Sequence, residues 1–165
     1  MRGAVAERAG LLCPADGSRI FLLEGDPLRS MTGYKQADGS EAGRGELHPL
    51  LGTSVVGRAF IERRTVHHDD VVPLLDTEYP NLREQQERHG FRTVLAVPLL
   101  RDVDSIGVIA IMRLTVKPFS QAETALVQTF AHHAVTAIAN VRLYEEPPGA
   151  LERPSQTLRP PPAPP

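Results

Sequence analysis

Two apolar stretches, residues 93–100 (TVLAVPLL) and 105–114 (SIGVIAIMRL), carry Val, Ile and Leu at alternating positions and at the positions between. A half-exposed strand would alternate apolar with polar, so runs of this kind predict strands covered on both faces. The polar residues 101–104 between them suit a tight reversal, and the pair reads as a β-hairpin. Each of its faces needs a cover. One follows directly: Ser120 and Glu123 spell an S-x-x-E capping box, Phe119 stands just ahead of it, and apolar residues at helical spacing run from Gln121 to about Glu146.

The earlier chain divides in the same way. Residues 4–12 have small and apolar side chains at helical spacing, stopped by Pro14 and the turn-prone residues 15–17. Residues 18–23 (SRIFLL) and 28–34 (LRSMTGY) predict a second hairpin, with Gly25 and Asp26 in its turn. Residues 35–51 are rich in Gly and charge without a period, and predict a loop. Thr53 or Ser54 then caps a helix that buries Val55, Val56, Ala59 and Phe60, followed by a short strand at 65–68. Residues 69–90 are polar, contain Pro73 and Pro80, and hold a helical piece over 81–89. From Pro147 onward the density of proline forbids helix and sheet alike. The expected organisation is one domain over 1–146 and a Pro-rich disordered tail over 147–165.

The order of hairpin, Pro-containing bend and long C-terminal helix resembles the end of a GAF domain. The phrases FRTVLAVPLL, IGVIAI, KPFSQAETALVQTFA, AVTAIANVRLYEE and SVVGRAFIERRTVHHDDV are similar to those of GAF modules in bacterial sensor histidine kinases and cyclases, over about residues 5–146. The resemblance implies an α+β fold in α/β/α layers, GAF-like (profilin-like), with a central antiparallel six-stranded sheet and helices on both faces. It implies that residues 69–90 act as the lid of a small-molecule pocket. It also implies a first helix shorter than the family's, as though the module starts within that element.

Composition narrows the function. A chain of 165 residues that is 41% hydrophobic can bury a core without metal or disulfide support. A net charge of -2 gives no basic field for nucleic acid or an anionic membrane. One cysteine, Cys13, excludes an internal disulfide or cysteine-based metal cluster and suits a reducing cytoplasm. No window has the length and apolarity of a membrane span. The expected protein is soluble and cytoplasmic.

A pocket under the lid would need apolar walls and a few converging polar groups. Arg58, Arg83, Arg92, Thr93 and Arg113 are the candidates, since arginine offers an anion a bidentate fork. The plainer reading for each arginine is solvation or a salt bridge to one of the many glutamates. The cyclic-nucleotide-binding members of the family carry an Asn, Lys, Phe, Asp, Glu signature. Lys117 and Phe119 answer part of it, but Glu123 and Thr124 stand where the acidic pair would, and no Asn precedes the lysine. This argues against cyclic nucleotides, and the cofactor is left unknown. Free methionine sulfoxide reductases share the fold, yet one thiol cannot both attack and resolve. Cys13 before Pro14 also lacks the setting of a bilin-attachment cysteine, and reads as a buried structural thiol.

His67 and His68 precede Asp69 and Asp70, a combination that suits zinc or iron. Neighbours on a strand point to opposite faces, and those on a helix diverge, so neither this pair nor His132 with His133 chelates by itself. No metal site and no enzyme activity are expected. The long helix has two apolar stripes. Leu126, Phe130, Ala137 and Tyr144 form one, which also carries His133 and is expected to be buried; Val127, Ala131, Ala134, Ile138 and Val141 form the other. The second stripe is the expected homodimer face, though a short N-terminal helix could cover it instead. The module is expected to act as a sensor of an unidentified small molecule, relaying ligand state through its last helix, with a histidine kinase or cyclase as output partner. The alternative is a ligand-free dimerisation or docking module.

Overall fold

The computed structural model describes residues 15–23, 28–30, 34–35, 41–42, 45, 47–48 and 50–144. The expected helix over 4–12, Cys13, the turn at 24–27 and the Pro-rich tail lie outside these residues. In chain order the elements are β1 (Gly17–Leu23), β2 (Leu28–Ser30), β3 (Tyr34–Lys35), β4 (Glu41–Ala42), β5 (Leu47–His48), α1 (Val55–Glu62) and β6 (Val66–His68). Two short 3-10 turns (Val72–Leu74 and Pro80–Leu82), α2 (Arg83–His89), β7 (Thr93–Arg101), β8 (Asp104–Arg113) and α3 (Gln121–Tyr144) follow.

Six strands form one antiparallel sheet in the order β5-β2-β1-β8-β7-β6. The central hairpin β7–β8 pairs from Thr93 with Arg113 down to Arg101 with Asp104, which leaves only Asp102 and Val103 in the turn. Asp102 takes a positive φ of 57° to close it. Gly107 sits where β8 crosses β1, and a Cβ there would run into the carbonyl oxygen of Phe21. Among the described residues of 35–51, short strands form where the composition predicts a loop. β3 pairs with β4, and β5 joins the sheet edge beside β2. Two-residue strands are too short to leave a period in the sequence, which is why they read as loop.

Cross-strand partners share a face, so Arg19, Phe21, Val66, His68, Val94, Ala96, Val108, Ala110 and Met112 look one way, and Ile20, Leu22, His67, Thr93, Leu95, Val97, Ile109, Ile111 and Arg113 look the other. The first face is covered by α1 and by residues 69–90. Val71, Leu75, Tyr79 and Leu82 of that segment join Val55 and Ala59 of α1 in a single buried cluster with Val94, Ala96, Val108 and Ala110. Helix α1 begins as its sequence dictates: the Ser54 hydroxyl accepts the Gly57 backbone N–H at 2.9 Å. It ends with Arg63 in the left-handed region, φ 57°.

The second face receives the start of α3. The capping box forms in both directions, with Glu123 N–H donating to Ser120 Oγ at 3.1 Å and Ser120 N–H to Glu123 Oε1 at 2.9 Å. Val127, Ala131, Ala134, Val135 and Ile138 are buried, while Leu126 is 45% exposed. Four of the five residues expected at a dimer face are therefore buried within one chain, and the side chain of Val141 lies outside the described residues. His133 is exposed rather than buried. The two stripes lie about a hundred degrees apart and are both apolar, so their sequence alone did not say which one turns inward. The chain divides into one unit ending at Val135 and a second from Thr136, in which α3 continues to Tyr144.

Candidate functional site

A small enclosed cavity lies between the lid-side face of the sheet and residues 69–90. Phe21, Val94, Ala110 and Met112 supply the sheet wall, Val55 and Val56 the α1 wall, and Leu82 and Phe91 the lid. Three polar side chains enter this apolar lining: Arg19 from β1, and Gln85 and His89 from α2. Arg19 is 3% exposed, and its guanidinium stands 4.9 Å above the Phe21 ring. A buried cation against an aromatic face, beside an amide and an imidazole in a mostly apolar lining, suits an anionic or strongly polarised ligand group. The cavity is about 30 Å³, room for roughly one or two water molecules. The lid is shut.

The lid is fastened at several points by charge and hydrogen bonds. Arg92, just ahead of β7, grips Asp70 with two bonds, Nε to Oδ1 at 2.9 Å and Nη2 to Oδ2 at 2.6 Å. This holds the Asp70 carboxyl below its ordinary pKa, chiefly through the hydrogen bonds from Arg92. Asp70 also accepts the Val72 backbone N–H. Arg58 of α1 bridges Glu62 and Glu78, with its guanidinium 4.7 Å above the Tyr79 ring. Arg83 pairs with Asp76 and stands 3.8 Å from Glu87. Asn81 donates to Thr53 Oγ1 at 2.7 Å.

The five residues expected to surround a ligand are not brought together. Arg58, Arg83 and Arg92 each fasten part of the lid, and none lines the cavity. Thr93 and Arg113 are direct cross-strand partners on the opposite face. The Thr93 hydroxyl donates to the Asp69 carbonyl at 2.6 Å and accepts the Lys117 N–H at 2.9 Å. Arg113 is buried under the α3 start, bonded to Glu123 at 2.7 Å and to the carbonyls of Lys117 and Pro118, with its guanidinium 3.9 Å above the Phe119 ring. Strand alternation settles the split, because odd positions of β7 and β8 point away from the lid. Arg19 was not among the expected site residues; it lies two residues before Phe21 and on its face, and a cation inside the apolar strand SRIFLL is the signal that would have marked it.

His67 and His68 serve one face each. His67 Nε2 accepts the Phe119 backbone N–H at 3.1 Å on the α3 side, and His68 Nε2 shares a hydrogen bond with the Tyr79 hydroxyl at 2.5 Å on the lid side. Burial lowers the pKa of both rings, and the nearby Arg113 and Arg58 add to this. Burial raises that of Tyr79. Among the described residues no three His, Cys, Asp or Glu side chains gather as a metal site requires, and no helix is long and apolar enough to cross a membrane.

The sequence profile of the GAF domain matches residues 3–138. The fold is similar to that of the GAF domain of a two-component sensor histidine kinase from Bacillus halodurans, at 21% identity and a TM-score of 0.71, covering 86% of this chain and 93% of that one. It is similar to the GAF-B domain of DevS from Mycobacterium smegmatis, at 18% identity and a TM-score of 0.68, covering 88% and 95%. The GAF domain of a phosphoenolpyruvate-protein phosphotransferase from Coxiella burnetii gives 19% identity and a TM-score of 0.70, covering 88% and 84%. No curated protein matches the chain at a significant level.

Proposed function

The chain belongs to the GAF domain family, and from that premise we propose that it is a regulatory sensory module of signal transduction that binds a small anionic or polarised molecule beneath the segment 69–90. Arg19 is the observation that carries this reading: a cation held at 3% exposure on the wall of an apolar cavity, beside Gln85 and His89. With room for little more than water, the cavity belongs to the closed state, and a ligand enters by displacing the lid. A ligand shifts such a two-state element only by the difference of its affinities for the open and closed forms. The output passes along α3 in a homodimer and on to a histidine kinase or cyclase. The stripe that begins at Leu126, with Phe130 and Ala137 half-buried, is the dimer face of this reading, and the burial of Val127, Ala131, Ala134 and Ile138 supports that choice over the Val127 stripe.

Thermal shift against cyclic nucleotides, haem, metal ions and amino acids tests the sensor. A binder of the native state at a hundredfold excess over its Kd stabilises by about 2.7 kcal/mol. Such a shift should vanish in Arg19→Gln and weaken in Gln85→Ala. A compound found with the purified protein by mass spectrometry would identify the ligand directly. The second reading, a ligand-free dimerisation or docking module, draws on the small size of the cavity. It prevails if no compound shifts the melting point while the protein dimerises in a concentration-dependent way.

A further inference from the structure

β6 begins only at Val66, opposite Ala96, while β7 runs on to Arg101. The length mismatch leaves a notch beyond Ala96, roofed by the first turns of α3. It is a groove of about 350 Å³, within the size range of small-molecule sites. Its floor is apolar, made by Val97, Pro98 and Leu100, and Ala131 of α3 also lines it. Its rim carries Arg63, Thr65, Gln128 and His132, together with Arg64, and no carboxylate lines it.

Each polar side chain of this rim has an N–H or O–H to donate. Gln128 Nε2 donates to Thr65 Oγ1 at 2.8 Å, which leaves the Thr65 hydroxyl its own proton to donate. Arg64 is drawn to Glu62. Arg63 is exposed and has no ion-pair partner among the described residues. It is held at the end of α1 in the left-handed conformation. An added peptide strand is disfavoured at this edge, because Pro98 has no N–H to offer it.

We propose that this notch is a second ligand site, separate from the lid cavity, for a small organic anion: a carboxylate or phosphate head held by Arg63, the Thr65 hydroxyl and His132, and a short apolar body resting on Val97, Pro98 and Leu100. A guanidinium fork supplies geometry as well as charge for such a head. The apolar floor selects against inorganic anions, which leave it wet.

The test uses the full chain labelled for amide NMR and titrated with benzoate, benzamide and inorganic phosphate. Benzoate should move the amides of Thr65, Leu100, Gln128 and His132. Benzamide and phosphate should each bind at least about tenfold more weakly than benzoate, and Arg63→Gln should weaken benzoate by a similar factor. Arg63 is exposed, so that variant should fold as the parent does. The proposal is overturned if benzoate moves no rim amide at about 10 mM, if the shifts gather instead at Arg19 and Gln85, if benzamide or phosphate equals benzoate, or if Arg63→Gln leaves the affinity unchanged.

Discussion

Arg113 is a fixed charge at 4% exposure, made tolerable by partners that include Glu123, two carbonyls and the Phe119 ring. Removing one partner of a buried pair strands the other, so Arg113→Ala should cost about 3–5 kcal/mol, measured by urea denaturation. The two histidines of β6 make a second claim at this scale. Their folded pKa values lie below the ordinary 6.5, so near and below that pH the unfolded chain binds more protons than the native one. Stability is fully present above pH 6.5 and falls as the pH drops through 6.5 toward the lowered values. Urea midpoints at about pH 7.5 and pH 5.5 should show that loss, and a double His67→Gln, His68→Gln variant should show much less of it. An unchanged slope in the variant would assign the acid sensitivity elsewhere.

Elements were legible in proportion to their length. The 24-residue α3, its capping box and the β7–β8 hairpin follow from their period and their end signals, and they form where the residues predict. β3, β4 and β5 have two residues each and owe their pairing to neighbours that no local pattern names. The hairpin turn shows what local chemistry leaves to be gained. Asp102 adopts a positive φ at the first turn position, where glycine is the residue preferred by turns of this kind. Asp102→Gly should raise stability by about 0.5–1 kcal/mol, read as a higher melting temperature. Gly107→Ala is the opposite case. Its methyl group would press on the Phe21 carbonyl and force β1 away from β8, at a cost of about 1–3 kcal/mol or more.

At the scale of the molecule, the layered fold was legible because both hairpin strands are apolar on both faces, which requires two covers. The site was less so. Arginine candidates expected to face one pocket went to opposite faces of the sheet, and the buried Arg19 was visible only through its alternation with Phe21. The clasp of Arg92 on Asp70 joins the start of the lid to the entry of β7. Arg92→Gln should leave the sheet intact and speed amide exchange over residues 71–89 by about tenfold, with β7 and β8 unchanged. Uniform acceleration would mean global destabilisation instead of a looser lid.

β6 is only three residues long, yet it is riveted to both neighbouring layers through adjacent imidazoles pointing in opposite directions. Sliding it by one position along β7 would send each ring to the wrong side, away from both the Phe119 amide and the tyrosine hydroxyl, and neither rivet could be remade. The shortest strand at that border thus works as an alignment gauge, admitting a single setting of the edge against the two coverings at once.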